Sequence, residues 1–155
     1  MLRNVSYVNP DSRVPGDVGN RPWFYQTCTE FGWYQSSNQA GNPFGDSFPT
    51  EYFEKMCSDV FGAKFDKNLL EQGISITNLE YGALDLDVSN VVFVHGSLDP
   101  WHALGITKDL NENSPAILIN GTSHCANLYP ESEDDPEGLK DARRRIGSLI
   151  GKWIR

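Results

Sequence analysis

Nowhere in the 155 residues does an apolar run approach the roughly 20 positions a membrane-spanning helix needs, so no membrane span is expected. No signal-peptide core stands near the amino terminus. Met1 to about Arg21 is instead rich in Asn, Pro, Asp and Gly, and a secretory address is expected only on a longer precursor. Positive charge is scarce: 13 Lys and Arg against 21 Asp and Glu leave a net charge of -8, which argues against a nucleic-acid partner. Neither H-E-x-x-H nor paired-cysteine spacing occurs, so His95, His102, His124 and Asp99 are not expected to hold a metal. No cofactor is expected. Internal repeats and low-complexity segments are also missing.

What is present is globular in character. Hydrophobic residues make up 39% and charged residues 22%, with four Trp, six Tyr and eight Phe, too aromatic for a disordered tail. The length allows one domain with a real core. The three cysteines are an odd count, and Cys28–Cys57 is the favoured pairing, with Cys125 left over. Two glycosylation-type triplets, at Asn4 and Asn120, join the cysteines in tilting the compartment toward secretory or endolysosomal. The basic cluster Arg143-Arg144-Arg145 follows an acidic stretch over Glu131–Glu137 and is read as a solvated helix face.

Along the chain, residues 1–21 read as an irregular, exposed segment. Residues 22–88 form an aromatic-rich, helix-containing segment, turn-rich as far as Phe48. Residues 89–155 carry the cleaner rhythm of an α/β unit. The spacing of Tyr52, Phe53, Met56, Cys57, Val60 and Phe61 predicts a helix over 50–61, ended by Gly62. A short helix is expected over 66–72, stopped by Gly73, with 74–90 mostly loop. Val91–Val94 and Ala116–Ile119 are β-branched apolar runs, as in parallel strands buried on both faces, with a crossover helix over 103–111 between them. In the last helix Asp135 is the expected cap and Pro136 the first helical position. Its apolar face is Leu139, Ala142, Ile146, Leu149, Ile150 and Trp153.

Each of the two strand-like runs leads through a glycine to a chemically capable side chain. Val91-Val92-Phe93-Val94-His95-Gly96-Ser97-Leu98 ends at Asp99, and Ala116-Ile117-Leu118-Ile119-Asn120-Gly121-Thr122-Ser123 ends at His124. In an α/β-hydrolase the triad runs nucleophile, acid, histidine along the chain, and these two match its last two members. The acid must hold the imidazole in one tautomer and stabilise its charged form, so a fixed point at the end of a buried strand suits it. His95 is expected to be packed and hydrogen-bonded, and His102 to sit on the rim of the same turn. Cys125 is discounted as a thiol nucleophile, because triad partners are neighbours in space rather than in sequence. No G-x-S-x-G nucleophile elbow occurs in these residues.

The strings Arg21-Pro22-Trp23-Phe24-Tyr25-Gln26-Thr27-Cys28-Thr29-Glu30-Phe31-Gly32, His95-Gly96-Ser97-Leu98-Asp99-Pro100-Trp101-His102 and Ile119-Asn120-Gly121-Thr122-Ser123-His124-Cys125 resemble the prolyl carboxypeptidase and dipeptidyl peptidase II family of serine peptidases. The likeness is greatest to its thymus-specific branch. The resemblance implies the carboxy-terminal part of an α/β-hydrolase domain, with a remnant of the helical cap. It further implies Asp99 and His124 as triad acid and base, Trp101 beside the substrate pocket, and Cys28–Cys57 as a family disulfide. Glu30 receives no role. A peptide substrate and a secreted, endosomal or lysosomal setting follow for the full-length enzyme, as does a homodimer. The elbow, the oxyanion hole and most of the cap are expected upstream, so these residues alone are expected to be inactive. A non-catalytic peptide- or partner-binding remnant is the alternative of a different class, and a lipase or esterase fragment the alternative within the same fold.

Overall fold

The computed structural model describes residues 20–43 and 45–155. The irregular segment expected over 1–21 lies almost wholly outside the described residues, as does the triplet at Asn4. The described residues fall into two compact units that divide between Ala83 and Leu84.

The first unit is helical. Helix α1, Asn20–Gln26, runs into a five-residue π turn, Thr27–Phe31, closed by Gly32 N–H donating to the Thr27 carbonyl at 3.0 Å. The expectation of irregular or turn structure over residues 20–31 is thereby corrected. Packing outweighs the weak local signal of so short a helix: the ring of Phe24 stacks on Phe61, and Tyr25 meets Phe61 and Phe65 edge-on. Helix α2, Thr50–Phe61, keeps the predicted bounds and ends at Gly62, whose φ of 105° lies in a region side chains avoid. Cys57 on α2 and Cys28 in the π turn are joined by a disulfide with Cα atoms 5.6 Å apart. Both are buried with Phe65, and Phe24, Tyr34, Phe61 and Leu69 pack around them.

Helix α3, Lys67–Tyr81, is capped by the Asp66 carboxylate, which accepts from Leu69 N–H at 3.0 Å. It does not stop at Gly73 but runs on to Gly82, which adopts the left-handed conformation of a helix end. Gly73 serves packing instead. A Cβ there would collide with the backbone carbonyl of Thr29, so the missing side chain lets α3 lie directly on the π turn.

The second unit is built on two parallel strands, β1 (Phe93–Gly96) and β2 (Ala116–Ile119), paired Phe93 to Ala116 through Gly96 to Ile119. The mixture of helices with a small parallel sheet is an α/β arrangement. β1 begins two residues later than the apolar run suggests. The strands are not buried on both faces. Ile117 and Ile119 enter the core with Leu139 and Ala142, whereas Leu118 between them is 48% exposed. Between the strands there is no crossover α-helix: a 3₁₀ turn, Pro100–Leu104, gives way to irregular chain. Polar side chains there tie the segment outward to neighbouring chain instead of along a helix: Asp109 accepts from Ala116 N–H at 2.7 Å and Asn111 donates to the Val88 carbonyl at 2.9 Å.

Helix α4, Glu137–Trp153, lays Leu139 and Ala142 against β2, with Ile146 partly buried beside them; Ile150, farther along the predicted apolar face, is exposed. Its cap residue is Pro136, whose carbonyl accepts from Leu139 and Lys140 N–H. Asp135 does not cap the helix. Its carboxylate is taken by Ser132 N–H at 3.0 Å and by Arg143 at 2.5 Å.

Candidate active site

The carboxyl ends of β1 and β2 lie side by side, and the turns leaving them are stitched together. Ser97 N–H donates to the Ile119 carbonyl at 3.0 Å and Leu98 N–H to the Thr122 carbonyl at 2.9 Å. Gly121 N–H donates to Ser97 Oγ at 2.8 Å, and the buried Thr122 hydroxyl donates back to the Ile119 carbonyl at 3.0 Å. Gly96 makes this approach possible, because a Cβ there would meet the carbonyl oxygens of Thr122 and Ser123. Two turns 25 positions apart in sequence thus become one structural piece.

On that piece His124 Nδ1 donates to Asp99 Oδ2 across 2.6 Å. The other carboxylate oxygen, Oδ1, accepts from Trp101 N–H at 3.0 Å as the 3₁₀ turn begins. The His124 hydrogen bond, followed by the Trp101 N–H, holds the Asp99 carboxyl below its ordinary value of 3.8 against the opposing effect of burial. Its side chain is 8% exposed, that of His124 57%. An ionised carboxylate can only accept, so the proton of this bond sits on Nδ1, and in the neutral imidazole that tautomer leaves the lone pair on Nε2. The arrangement therefore presents a basic nitrogen outward, backed by a buried anion that would stabilise the imidazolium once Nε2 takes a proton.

Around the pair, the Trp101 ring meets the His124 ring edge-on with centroids 5.1 Å apart, fixing the imidazole plane from one side. His102 is drawn into the turn, its Nδ1 donating to the Asp99 carbonyl at 2.6 Å. His95 is packed, its imidazole lying where a Cβ on Gly105 would fall. It departs from expectation in its hydrogen bonding, since Nε2 is buried without a partner among the described residues. Cys125 is a free, partly buried thiol, and Asn120 is exposed, accepting from Ser97 Oγ at 3.3 Å. No cluster of three or more candidate metal ligands occurs among the described residues, and no helix of the described residues is long and apolar enough to cross a membrane.

Sequence reasoning passed over Arg143. It is not part of a solvated face: its side chain is 11% exposed, whereas Arg144 is exposed and pairs with Glu137 and Asp141. The available signal was helical spacing. Arg143 stands four residues after Leu139 and three before Ile146, on the buried stripe, where a charge requires partners.

The sequence profile of the serine carboxypeptidase S28 family matches residues 3–146. The chain is 35% identical over 147 residues to the thymus-specific serine protease of Mus musculus, an alignment covering 95% of this chain and 28% of that protein. It is 34% identical over 140 residues to the human thymus-specific serine protease, covering 89% and 26%. With the human lysosomal Pro-X carboxypeptidase the identity is 26% over 152 residues, covering 97% and 29%. The chain thus spans less than a third of the length of these relatives.

Proposed function

The chain belongs to the serine carboxypeptidase S28 family of serine peptidases, and from that premise we propose that it supplies the acid and the general base of a serine exopeptidase built on an α/β-hydrolase fold. The observation that carries the reading is the 2.6 Å bond from His124 Nδ1 to the buried, ionised Asp99, with the imidazole otherwise exposed. In the reaction His124 Nε2 takes the proton of a serine hydroxyl as it attacks the scissile carbonyl. It then returns that proton to the leaving amine, while Asp99 holds the tautomer and balances the imidazolium charge. Trp101 flanks the imidazole and borders the substrate. These residues hold no G-x-S-x-G elbow, so by themselves they form no acyl-enzyme. The substrate is a peptide. The compartment is secretory or lysosomal, in keeping with the Cys28–Cys57 disulfide and with the lysosomal location in the name of the human relative. Homodimerisation of a complete enzyme belongs to the same proposal.

The test uses two polypeptides. The 155-residue chain is expected not to react with a fluorophosphonate probe, and labelling would refute the absence of a nucleophile. Residues 21–155 joined to the nucleophile-bearing part of the mouse relative are expected to hydrolyse peptide amides, with Asp99→Asn lowering kcat by about 10⁴. An unchanged kcat in that variant would remove the acid from the mechanism.

A second reading, a peptide-binding module, is favoured by a depression of about 570 Å³ in the first unit, lined by Arg21, Pro22, Tyr25, Gln26, Glu30 and Phe61. Calorimetry with proline-containing peptides decides it, and absence of heat across such a set counts against binding.

A further inference from the structure

The second unit holds two charged side chains, Arg143 and its partner Asp135, that the acid–base chemistry leaves unused and the fold nevertheless largely buries. Arg143, on α4, extends its guanidinium beneath the chain that follows His124. Nη2 donates to the Ala126 carbonyl at 3.1 Å and to the Tyr129 carbonyl at 2.9 Å, while Nη1 donates to Asp135 Oδ2 at 2.5 Å. Ala126 and Tyr129 bracket the 3₁₀ turn Ala126–Leu128, which begins two residues after the imidazole. A guanidinium suits the position because its planar, rigid fork of N–H groups can serve one carboxylate and two carbonyls together. An ammonium would reach fewer of them.

The histidine turn therefore has two anchors. On the amino-terminal side, Thr122 is bonded to Leu98 and pressed against Gly96, which fixes it to the turn that carries Asp99. On the carboxy-terminal side, the chain is held to α4 by Arg143. Between them Cys125 takes a left-handed conformation, φ 55°, reversing the chain so that Ala126 turns back toward the helix. A segment fixed at one end alone could swing the imidazole away from Asp99, because the 2.6 Å bond tolerates little displacement.

We propose that Arg143, oriented by Asp135, is a positioning residue for the general base: by holding both ends of the turn after His124, it keeps Nδ1 in line with Asp99. The inference rests on the acid–base reading above and extends it to a side chain remote in sequence from both members.

The experiment is proton NMR of the 155-residue chain, following the far-downfield Nδ1 proton that the His124–Asp99 bond generates. Arg143→Lys keeps the cation opposite Asp135 but cannot span both carbonyls. It is expected to remain folded by circular dichroism while exchange of that proton with water accelerates roughly tenfold. A merely structural arginine would lower the thermal midpoint yet leave the exchange rate unchanged well below it, and that result overturns the proposal. Should Arg143→Lys lose its fold, Asp135→Asn carries the readout. It leaves the guanidinium in place without its orienting carboxylate, so severalfold faster exchange supports the proposal and an unaltered rate overturns it. Asp99→Asn separates the two readings. If the resonance survives that change, the acid–base pairing fails. If Asp99→Asn abolishes it while the Arg143 and Asp135 variants leave it untouched, only the positioning role fails.

Discussion

Gly96 and Thr122 meet backbone to backbone: the hydrogen on the Gly96 α-carbon occupies space in which any side chain would strike the Thr122 carbonyl oxygen. That carbonyl already accepts from Leu98 N–H at 2.9 Å, so it cannot retreat without breaking the bond that joins the two site turns. Gly96→Ala is therefore expected to destabilise the chain by roughly 1–3 kcal/mol, as overpacking does. Part of the displacement will pass to His124, two residues beyond Thr122. Denaturant midpoints for wild type and variant check the stability, and the Nδ1 proton resonance of His124 checks the displacement. An unshifted midpoint would show that the turns have room to move apart.

Acid should weaken the fold through Asp99. The His124 hydrogen bond, then the Trp101 N–H, hold its carboxyl below the ordinary 3.8. A group whose value is lower in the folded than in the unfolded chain binds protons more readily when unfolded. Its contribution is thus complete above the unfolded value and is lost as pH falls through the depressed folded one. Asp135 acts in the same direction, held down by Ser132 N–H and by Arg143. Urea midpoints measured downward from about pH 5 should fall more steeply for wild type than for Asp99→Asn. Parallel slopes would mean that Asp99 titrates alike in both states.

Reduction of the Cys28–Cys57 bridge should loosen the first unit. The bond closes a loop with a sequence separation of 29, and its sulfurs lie in a core shared with Phe65, Phe24, Phe61 and Leu69. Loss of such a cross-link costs about 2–5 kcal/mol. Chemical denaturation with and without reductant, followed by fluorescence of Trp23 and Trp33, measures it. Identical curves would show that the helices of this unit hold without the link.

Features written in short, local patterns were legible. The stripe over 50–61 gave α2 its bounds, and the apolar run at Ala116–Ile119 gave β2 its own. The two turns leaving the strands pointed to Asp99 and His124, which the structure brings into hydrogen-bonding contact. What was illegible depended on partners distant in sequence. Gly73 reads locally as a helix stop, yet its partner is the Thr29 carbonyl, so the helix continues through it. Asp135 reads as a cap because it precedes Pro136, yet Arg143 and Ser132 claim its carboxylate. Arg143 itself hid among two exposed arginines. Its burial follows from the helix face it occupies, which a count of charges does not register.

The pairing of β1 with β2 has a further consequence. Asp99 and His124 follow the same ends of neighbouring strands, so the ladder that joins Phe93 to Ala116 and Gly96 to Ile119 also sets the gap between carboxylate and imidazole. A slip of one strand past the other by a single residue would shift His124 by roughly 3.3 Å. It would also rotate Ile117 and Ile119 out of the interior. Faulty registration thus forfeits apolar burial along with chemical alignment, and a chain that folds soundly at this sheet has already aimed its imidazole.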